Sequence, residues 1–406
     1  MRDRVILHCD CNSFFASVET VLDPALANVP MAVCGDPEQR HGIVLAKNEQ
    51  AKSHGIKTAQ TVHEAKKLCP GLVIVPPSYD KYVEFSHSVN AIYAEYTDII
   101  EPFGIDESWL DVTASGRLFG DGYDIAEMIR KRVRDEIGIT ISVGVSFNKV
   151  FAKLGSDYKK PDAVTVISRS NFEKIVYPLP VEWLLYVGKK TVEVLDGIGI
   201  KTIGDLSRAP VELLNYKLGK FGDMISAFAR GEDNSPVTAE RDDVKSVGNG
   251  FTFKKDLLSF DEIKCGVYYL SEEIGTRLRA KGLLCTTVSV QIKDEFLHVS
   301  QKQSQLASPS DISKEIADSA LKIILSTWSP SRPIRTITIT TSGLVHSSEV
   351  TTQLDFFAEE STLEERARRR KNEEAVDEIR KRFGQSAIVR GAYIDNEIGL
   401  IDPRKK

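Results

Sequence analysis

Residues 103–112 read FGIDESWLDV, and residues 4–15 read RVILHCDCNSFF. In the first stretch two carboxylates, Asp106 and Glu107, stand side by side in a hairpin tipped at Gly104, between apolar runs. In the second a lone carboxylate, Asp10, ends an apolar run that reads as a strand. Three carboxylates drawn from two strand ends suit a pair of divalent cations. Magnesium prefers hard oxygen ligands and keeps open positions for water and phosphate. Two such ions can stabilise both the attacking and the leaving oxygen of an in-line phosphoryl displacement. Taken singly, each stretch reads as well as an ordinary turn or strand end.

Around these stretches, strands are expected at 4–9, 31–34 and 42–46, and a helix at 62–70 stopped by Pro70. LVIVPP (72–77) reads as a buried strand. Tyr82, Phe85, Val89, Ile92 and Tyr96 give 79–97 the spacing of an amphipathic helix. The hairpin comes next, then a helix at 124–137 ending at Gly138, a strand at 140–146, and a helix at 148–160 before Pro161. This alternation predicts an α+β body with an insertion at roughly 16–78. Beyond residue 173 come short helices punctuated by Gly188, Gly197, Gly199 and Gly219. A charged stretch at 241–245 separates them from 246–345, which reads as strand, helix, two strands, helix, strand. That pattern supports an open sheet with helices on one face. A last charged helix runs to Gly384. Its narrow stripe of Ala375, Val376, Ile379 and Phe383 reads as a docking face. Arg366, Arg368, Arg369, Arg370 and Lys371 read as a solvated one.

The 406 residues leave room for two to four domains. A hydrophobic share of 42% and a charged share of 27% are those of soluble globular chains. No apolar run approaches the roughly 18 residues of a membrane span, and the N-terminus lacks a signal-peptide pattern. The six cysteines (9, 11, 34, 69, 265 and 285) show no CxxC pair and no zinc spacing, so they are expected to be reduced thiols in the cytoplasm. The net charge of −5 does not advertise a nucleic-acid binder. Phosphate binding depends on local patches, however, rather than on the total.

The run Asp10-Cys11-Asn12-Ser13-Phe14-Phe15-Ala16-Ser17-Val18-Glu19 resembles the opening motif of the Y-family DNA polymerases. Gly104-Ile105-Asp106-Glu107-Ser108 resembles their second carboxylate motif, and residues 142–157 resemble their SxGxSxNKxxAKxxSD block. The subgroup most similar is that of the DNA polymerase IV (DinB-like) translesion enzymes, over residues 1 to about 345. The resemblance implies an α+β multidomain right-hand polymerase. Its parts would be a ferredoxin-like palm (1–15 and 79–172), small fingers (16–78), a helix-hairpin-helix thumb (173–240), a linker (241–245), an α/β little finger (246–345) and a tail (346–406). The implied activity is template-directed, error-prone addition of dNTPs to a primer, with no segment left over for a proofreading exonuclease.

The resemblance also implies residue roles. Asp10, Asp106 and Glu107, with the backbone carbonyl of Cys11, would hold two Mg2+ ions. Phe15, backed by Phe14, would be the gate against ribonucleotides. Lys160 and Lys52 would meet the triphosphate. Gly188, Lys189, Gly219 and Lys220 would receive DNA phosphates at helix N-termini. Gln353, Leu354, Phe356 and Phe357 would dock on a bacterial sliding clamp. Implied partners are primed template DNA, dNTP and the clamp, with the chain itself a monomer and no membrane involved.

Four departures stand out. Asn12 replaces a family Asp, and Tyr186 replaces the first glycine of a thumb hairpin. Glu49 and Lys52 stand where many relatives have Tyr-x-x-Arg, and Lys is only a point charge where Arg is a fork. Ile43 and Leu45 occupy positions often held by small residues. Asp111 is expected to be structural. The alternatives are a catalytically impaired clamp-bound repair scaffold, disfavoured by the three carboxylates, and a palm-type nucleotidyl cyclase. The hairpin glycines and the clamp peptide argue against the cyclase.

Overall fold

The computed structural model describes residues 3–36, 40, 42–239, 244–329, 332–348, 360–394 and 396–400. It divides into two compact units, residues 1–35 with 42–241 and residues 36–41 with 242–406. The division at 241/242 falls inside the charged stretch 241–245. The peptide Gln353–Phe357 lies outside the described residues.

The first unit begins with strand β1 (Ile6–Cys11) and helix α1 (Phe14–Leu22). Strands β2 (Met31–Cys34) and β3 (Val44–Lys47), helices α2 (Glu49–Ser53) and α3 (Val62–Leu68), and strand β4 (Val73–Val75) form a small subdomain. Helix α4 (Tyr79–Ala94) leads to the hairpin of β5 (Ile100–Pro102) and β6 (Glu107–Asp111). Helices α5 (Gly116–Phe119) and α6 (Gly122–Arg132), strand β7 (Ile141–Ser146), helix α7 (Lys149–Tyr158) and strand β8 (Val164–Ile167) complete the body. Five short helices come after it: α8 (Phe172–Val176), α9 (Lys189–Asp196), α10 (Ile203–Arg208), α11 (Val211–Leu218) and α12 (Lys220–Ala229).

The main sheet has the order β5-β6-β1-β7-β8, with β1 central and antiparallel to both neighbours. Strand alternation sorts its faces. Leu7, Cys9 and Cys11 pack with Tyr82, Val89 and Ile92 of α4 and with Ile125 and Ile129 of α6. Ile6, His8 and Asp10 point the other way, where Ile6 packs with Trp109 and with Ala152 of α7. Helix α7 reaches that face because Gly144 of β7 has no side chain. A Cβ there would stand 1.9 Å from the Ala152 carbonyl oxygen, and Gly155 of α7 faces the same spot. Asn148 caps α7 by accepting from Phe151 N at 2.8 Å and ties it to the chain after α12 by donating to Gly231 O at 2.9 Å.

One local expectation is corrected. LVIVPP is not a buried strand: β4 covers only Val73–Val75 and is partly exposed, because it is the edge of a three-stranded sheet ordered β3-β2-β4. Helix α1 runs through residue 15/16, so the insertion does not begin at a break in the chain's local structure. Cys9, Cys11, Cys34, Cys69 and Cys285 are buried and all six cysteines are free thiols.

The second unit holds β9 (Ser246–Leu257), α13 (Phe260–Ala280), β10 (Leu283–Asp294), β11 (Val299–Ser310), α14 (Ser313–Thr327) and β12 (Ile334–Ser342). Strand β11 begins only at Val299, and Phe296 and Leu297 sit in the turn before it. The sheet order β11-β10-β12-β9 is antiparallel throughout, so each β-α-β half brackets a strand of the other. One face carries Phe253, Val288, Val290, Ile337 and Ile339 into the core against the helices. The other presents rows such as Gly248-Thr340-Ser289-Gln303 and Gly250-Thr338-Gln291-Gln301.

A short strand β13 (Val345–His346) precedes the last helix, α15 (Glu360–Phe383). An apolar docking stripe and a solvated basic face were expected of α15 from its sequence, and the structure bears out only part of each: Val376 is half-buried and lines a cavity with Thr276 and Arg279 of α13, and Arg368 and Lys371 are exposed. Ala375, Ile379 and Phe383 are exposed. Arg366 instead pairs with Glu315 at 2.8 Å, Arg370 with Asp311 at 2.9 Å and Arg380 with Glu272 at 3.1 Å. Arg279 of α13, 7% exposed, meets Glu373 at 2.5 Å and Asp377 at 2.6 Å. The final segment is part of the core: Tyr393, Ile398 and Leu400 are buried, and Lys254 N donates to Ile398 O at 2.9 Å. Removing one member of a buried charge set strands the others at a cost of about 3 kcal/mol or more. Arg279→Ala is therefore expected to raise hydrogen exchange across 364–383 by at least tenfold, read by mass spectrometry, with little change in β1 or β6.

Candidate active site

The hairpin register fixes the carboxylates. On β1 and β6 the pairs run Ile6 with Asp111, His8 with Trp109, and Asp10 with Glu107. Asp10 and Glu107 therefore face each other on adjacent strands, on the side covered by α7. Asp106 lies in the turn just before β6, and its carbonyl accepts from Cys11 N at 2.9 Å, which pins the turn to β1. Gly104 keeps the turn tight: a Cβ there would come within 3.3 Å of Asp106 Oδ1. Cys11 turns its thiol into the opposite core, where burial pushes its pKa up. Asp111 is taken up locally by Thr113, whose hydroxyl donates to it at 2.5 Å.

These acids repel one another in a partly dry place. Burial pushes the Asp10 carboxyl up to about 6, against the pull of Lys160. Burial, and then the Glu107 charge, raises Asp106 as well. Burial would also raise Glu107, but His8 and Lys153 outweigh it and hold that group at about 2. The ammoniums come from α7 and its end. Lys160 Nζ lies 2.7 Å from Asp10 and 2.8 Å from Asp157, and Lys153 Nζ is bound to Glu107. Among the described residues Asp106 has no ion-pair partner. His8 Nε2 lies 3.2 Å from Glu107 Oε2, the oxygen that Lys153 also meets. Burial holds His8 down at about 4, leaving the ring neutral, and its Nδ1 meets Ser156 Oγ at 2.8 Å.

The residues suit hard divalent cations. The donors are carboxylate oxygens, two of them are desolvated and mutually repelling, and their countercharge is supplied by lysines. No three His, Cys, Asp or Glu side chains among the described residues form a closed cage. A site for Mg2+ needs none, since one or two carboxylates with substrate phosphates suffice.

Around this cluster, Phe14 is core at 3% exposed. Phe15 stacks on Tyr82 with centroids 4.1 Å apart and meets Tyr79 edge-on at 5.8 Å. Tyr82 is fixed by donating to Glu19 at 2.5 Å. Asn12, with its amide oxygen accepting from Ser142 Oγ at 2.9 Å, lines a cleft of about 320 Å³ with Ser13, Glu49, Thr140 and Pro161. Lys52 is exposed and pairs with Glu49 at 3.4 Å. Val44 packs with Ala32 and Cys34, and Ala46 with Ala16, Met31 and Val33 on the sheet's other face, because a bulge opposite Val33 and Cys34 breaks the alternation; Ile43 is exposed and Leu45 half-buried. Gly188 and Gly219 are N-caps of α9 and α12, so Lys189 and Lys220 open those helices, and both glycines border open space.

The structure thus gathers Asp10, Asp106, Glu107 and Lys160. Sequence reading gave no role to His8, nor to Lys153, Ser156 and Asp157 within the 142–157 block. Their signal was present: His8 is two positions before Asp10 on the same strand face, and Lys153, Asp157 and Lys160 recur at helical spacing. Because Asp106 is a half-buried carboxylate without a cation partner among the described residues, Asp106→Asn should raise the melting temperature in chelator by a few degrees. The same variant should lose most of the stabilisation that added Mn2+ gives the native chain. Differential scanning fluorimetry checks both.

Comparisons with known proteins agree with the fold. Residues 9–157 match the impB/mucB/samB family, and residues 244–356 match the C-terminal domain of that family. The DNA polymerase IV of Acetivibrio thermocellus is 46% identical over 399 residues, covering 97% of this chain and 98% of that protein. That of Moorella thermoacetica is 38% identical, covering 97% and 96%. DNA polymerase IV 2 of Bacillus subtilis is 36% identical, covering 97% and 95%. A solved chimeric Y-family DNA polymerase has the same fold, with a TM-score of 0.74 at 22% identity, covering 84% of this chain and 99% of the chimera.

Proposed function

The chain belongs to the impB/mucB/samB family of Y-family DNA polymerases, in the DNA polymerase IV branch, and on that footing we propose that it performs error-tolerant, template-directed translesion synthesis at the Asp10–Asp106–Glu107 cluster. It is a DNA-directed DNA polymerase that acts on DNA and dNTP and depends on divalent metal. The observation that carries the assignment of the site is the cross-strand register that sets Asp10 opposite Glu107, with Asp106 adjoining. Two Mg2+ ions held by Asp10, Asp106, Glu107 and the Cys11 carbonyl would lower the pKa of the primer 3′-hydroxyl and neutralise charge on the triphosphate.

The chain's own groups do the positioning. Lys160, now on Asp10, is placed to turn its ammonium to a phosphate when nucleotide enters. Lys153 holds the Glu107 carboxylate in one orientation, and neutral His8 fills the space beneath it. Lys52 offers a weaker phosphate contact, because Glu49 already shares its charge. Phe15, locked between Tyr82 and Tyr79, presents a flat ring under the incoming sugar and leaves no room for a 2′-hydroxyl. Ile43 and Leu45, which lie outside both buried clusters of their subdomain, would cover the nascent base pair.

The broader assignments rest on the same reading. Residues 1–15 with 79–172 act as palm, 16–78 as fingers and 173–240 as thumb, with Gly188, Lys189, Gly219 and Lys220 meeting phosphates through helix N-terminal amides. The polar sheet face of 246–345 suits a duplex backbone, since hydroxyl and amide side chains contact phosphates without reading sequence. Gln353, Leu354, Phe356 and Phe357 would dock on a sliding clamp, the chain working as a cytoplasmic monomer. No helix among the described residues is long and apolar enough to cross a membrane.

Primer extension with labelled dNTP and Mg2+ tests the assignment. Asp106→Ala or Glu107→Ala should reduce extension by about 10³-fold or more, in the range of a lost electrostatic group, while binding of primed DNA changes little. Extension at near-native rate by either variant would rule the metal site out. Phe15→Ala or Phe15→Val should raise ribonucleotide over deoxyribonucleotide incorporation by at least about tenfold, the effect of relieving roughly 1.4 kcal/mol of clash. An unchanged ratio would place the gate elsewhere.

A further inference from the structure

The turn that leads into α9 carries a side chain that packing does not explain. Val187 N donates to Leu184 O at 3.0 Å, closing a four-residue turn with Tyr186 in third position. Tyr186 has φ 70°, a value that such turns need at that place and that Gly or Asn ordinarily supplies. A bulky residue there is strained, and strain that persists points to a role. Burial does not supply the reason. The ring is 55% exposed, and the ring of Phe228 stands 6.5 Å away between centroids.

What the ring does face is a cleft of about 630 Å³ shared with Lys153, Asp157, Glu182, Trp183 and Gly188. Lys153 is bound to Glu107 and Asp157 to Lys160, so the cleft runs into the carboxylate cluster. Its other wall ends at Gly188, the N-cap of α9, beside open space. The cleft also holds two acids, Asp157 and Glu182, so attraction between lysines and phosphates is a poor way to hold a strand there. An uncharged ring is a good one, since every nucleotide offers a flat face for it.

We propose that Tyr186 is a primer-positioning residue whose ring packs against the sugar and base edge of the primer strand just behind its reacting end. This rests on the polymerase reading of the site. The primer rather than the template is implicated because the cleft leads to Glu107, where the attacking hydroxyl must stand. The phosphate beyond that nucleotide then reaches the amides that open α9.

The test uses the full chain with Tyr186→Phe, Tyr186→Gly and Tyr186→Asn. Gly and Asn adopt the turn without strain and lack the ring. Affinity for primed DNA and for single-stranded template is read by fluorescence anisotropy, single-turnover extension by gel, and folding by melting temperature. Tyr186→Phe should match the native chain within about twofold. The Gly and Asn variants should keep or raise the melting temperature and keep the affinity for single strands. They should bind primed DNA about tenfold more weakly, the effect of one lost aromatic contact, with the dNTP KM unchanged. Native affinity for primed DNA in both ringless variants would overturn the proposal. So would a fall in melting temperature with equal losses for primed and single-stranded DNA. A native chain that fails to bind primed DNA at all would instead overturn the polymerase reading.

Discussion

Everything in the first unit turns on one unfavourable contact, two carboxylates set opposite each other on neighbouring strands. Asp10 and Glu107 are forced together by the antiparallel register of β1 and β6. Left alone they would repel strongly in a half-dry setting. The structure answers with Lys160 on one and Lys153 on the other, both delivered by α7 and the residues just after it. That delivery requires α7 to lie almost on the strands, and Gly144 and Gly155 make the approach possible. Replacing either would push the lysines away from the acids they balance. The site is thus poised rather than relaxed: its countercharge is lysine ammonium, which under the proposed function metal and phosphate would displace.

How much of this the sequence revealed depended on range. Asp10, Asp106 and Glu107 were legible because a strand end and a short hairpin turn declare themselves locally. Gly138, Gly188 and Gly219 were legible for the same reason, and each sits at a helix terminus. Lys153 was not, although its helix was expected, because its partner Glu107 is 46 positions away. The tail shows the same limit. Apolar spacing suggested how α15 docks, but its contacts are arginines meeting acids 51 and 59 positions away. Hydrophobic periodicity reports burial, and this helix is held by charge.

Charge at long range also shapes the second unit. Its sheet keeps one face for the core and leaves the other to threonine, serine, glutamine and glycine, a surface with few fixed charges of its own. The helices behind it hold the charged tail, and the final segment adds Tyr393, Ile398 and Leu400 to the core. The tail is therefore not an appendage. It belongs to the unit that bears the polar face, and largely buried ion pairs to Arg279 and Glu272 hold it there.

The central claim is that the three carboxylates bind cations together with nucleotide rather than alone. Counting bound Mn2+ by electron paramagnetic resonance tests it most directly, with the native chain on a dideoxy-terminated primer and template. The account predicts weak uptake without nucleotide and two bound ions per chain once the matching dNTP is added. Uptake that ignores the nucleotide, or no tightly bound ion in the full complex, would contradict it.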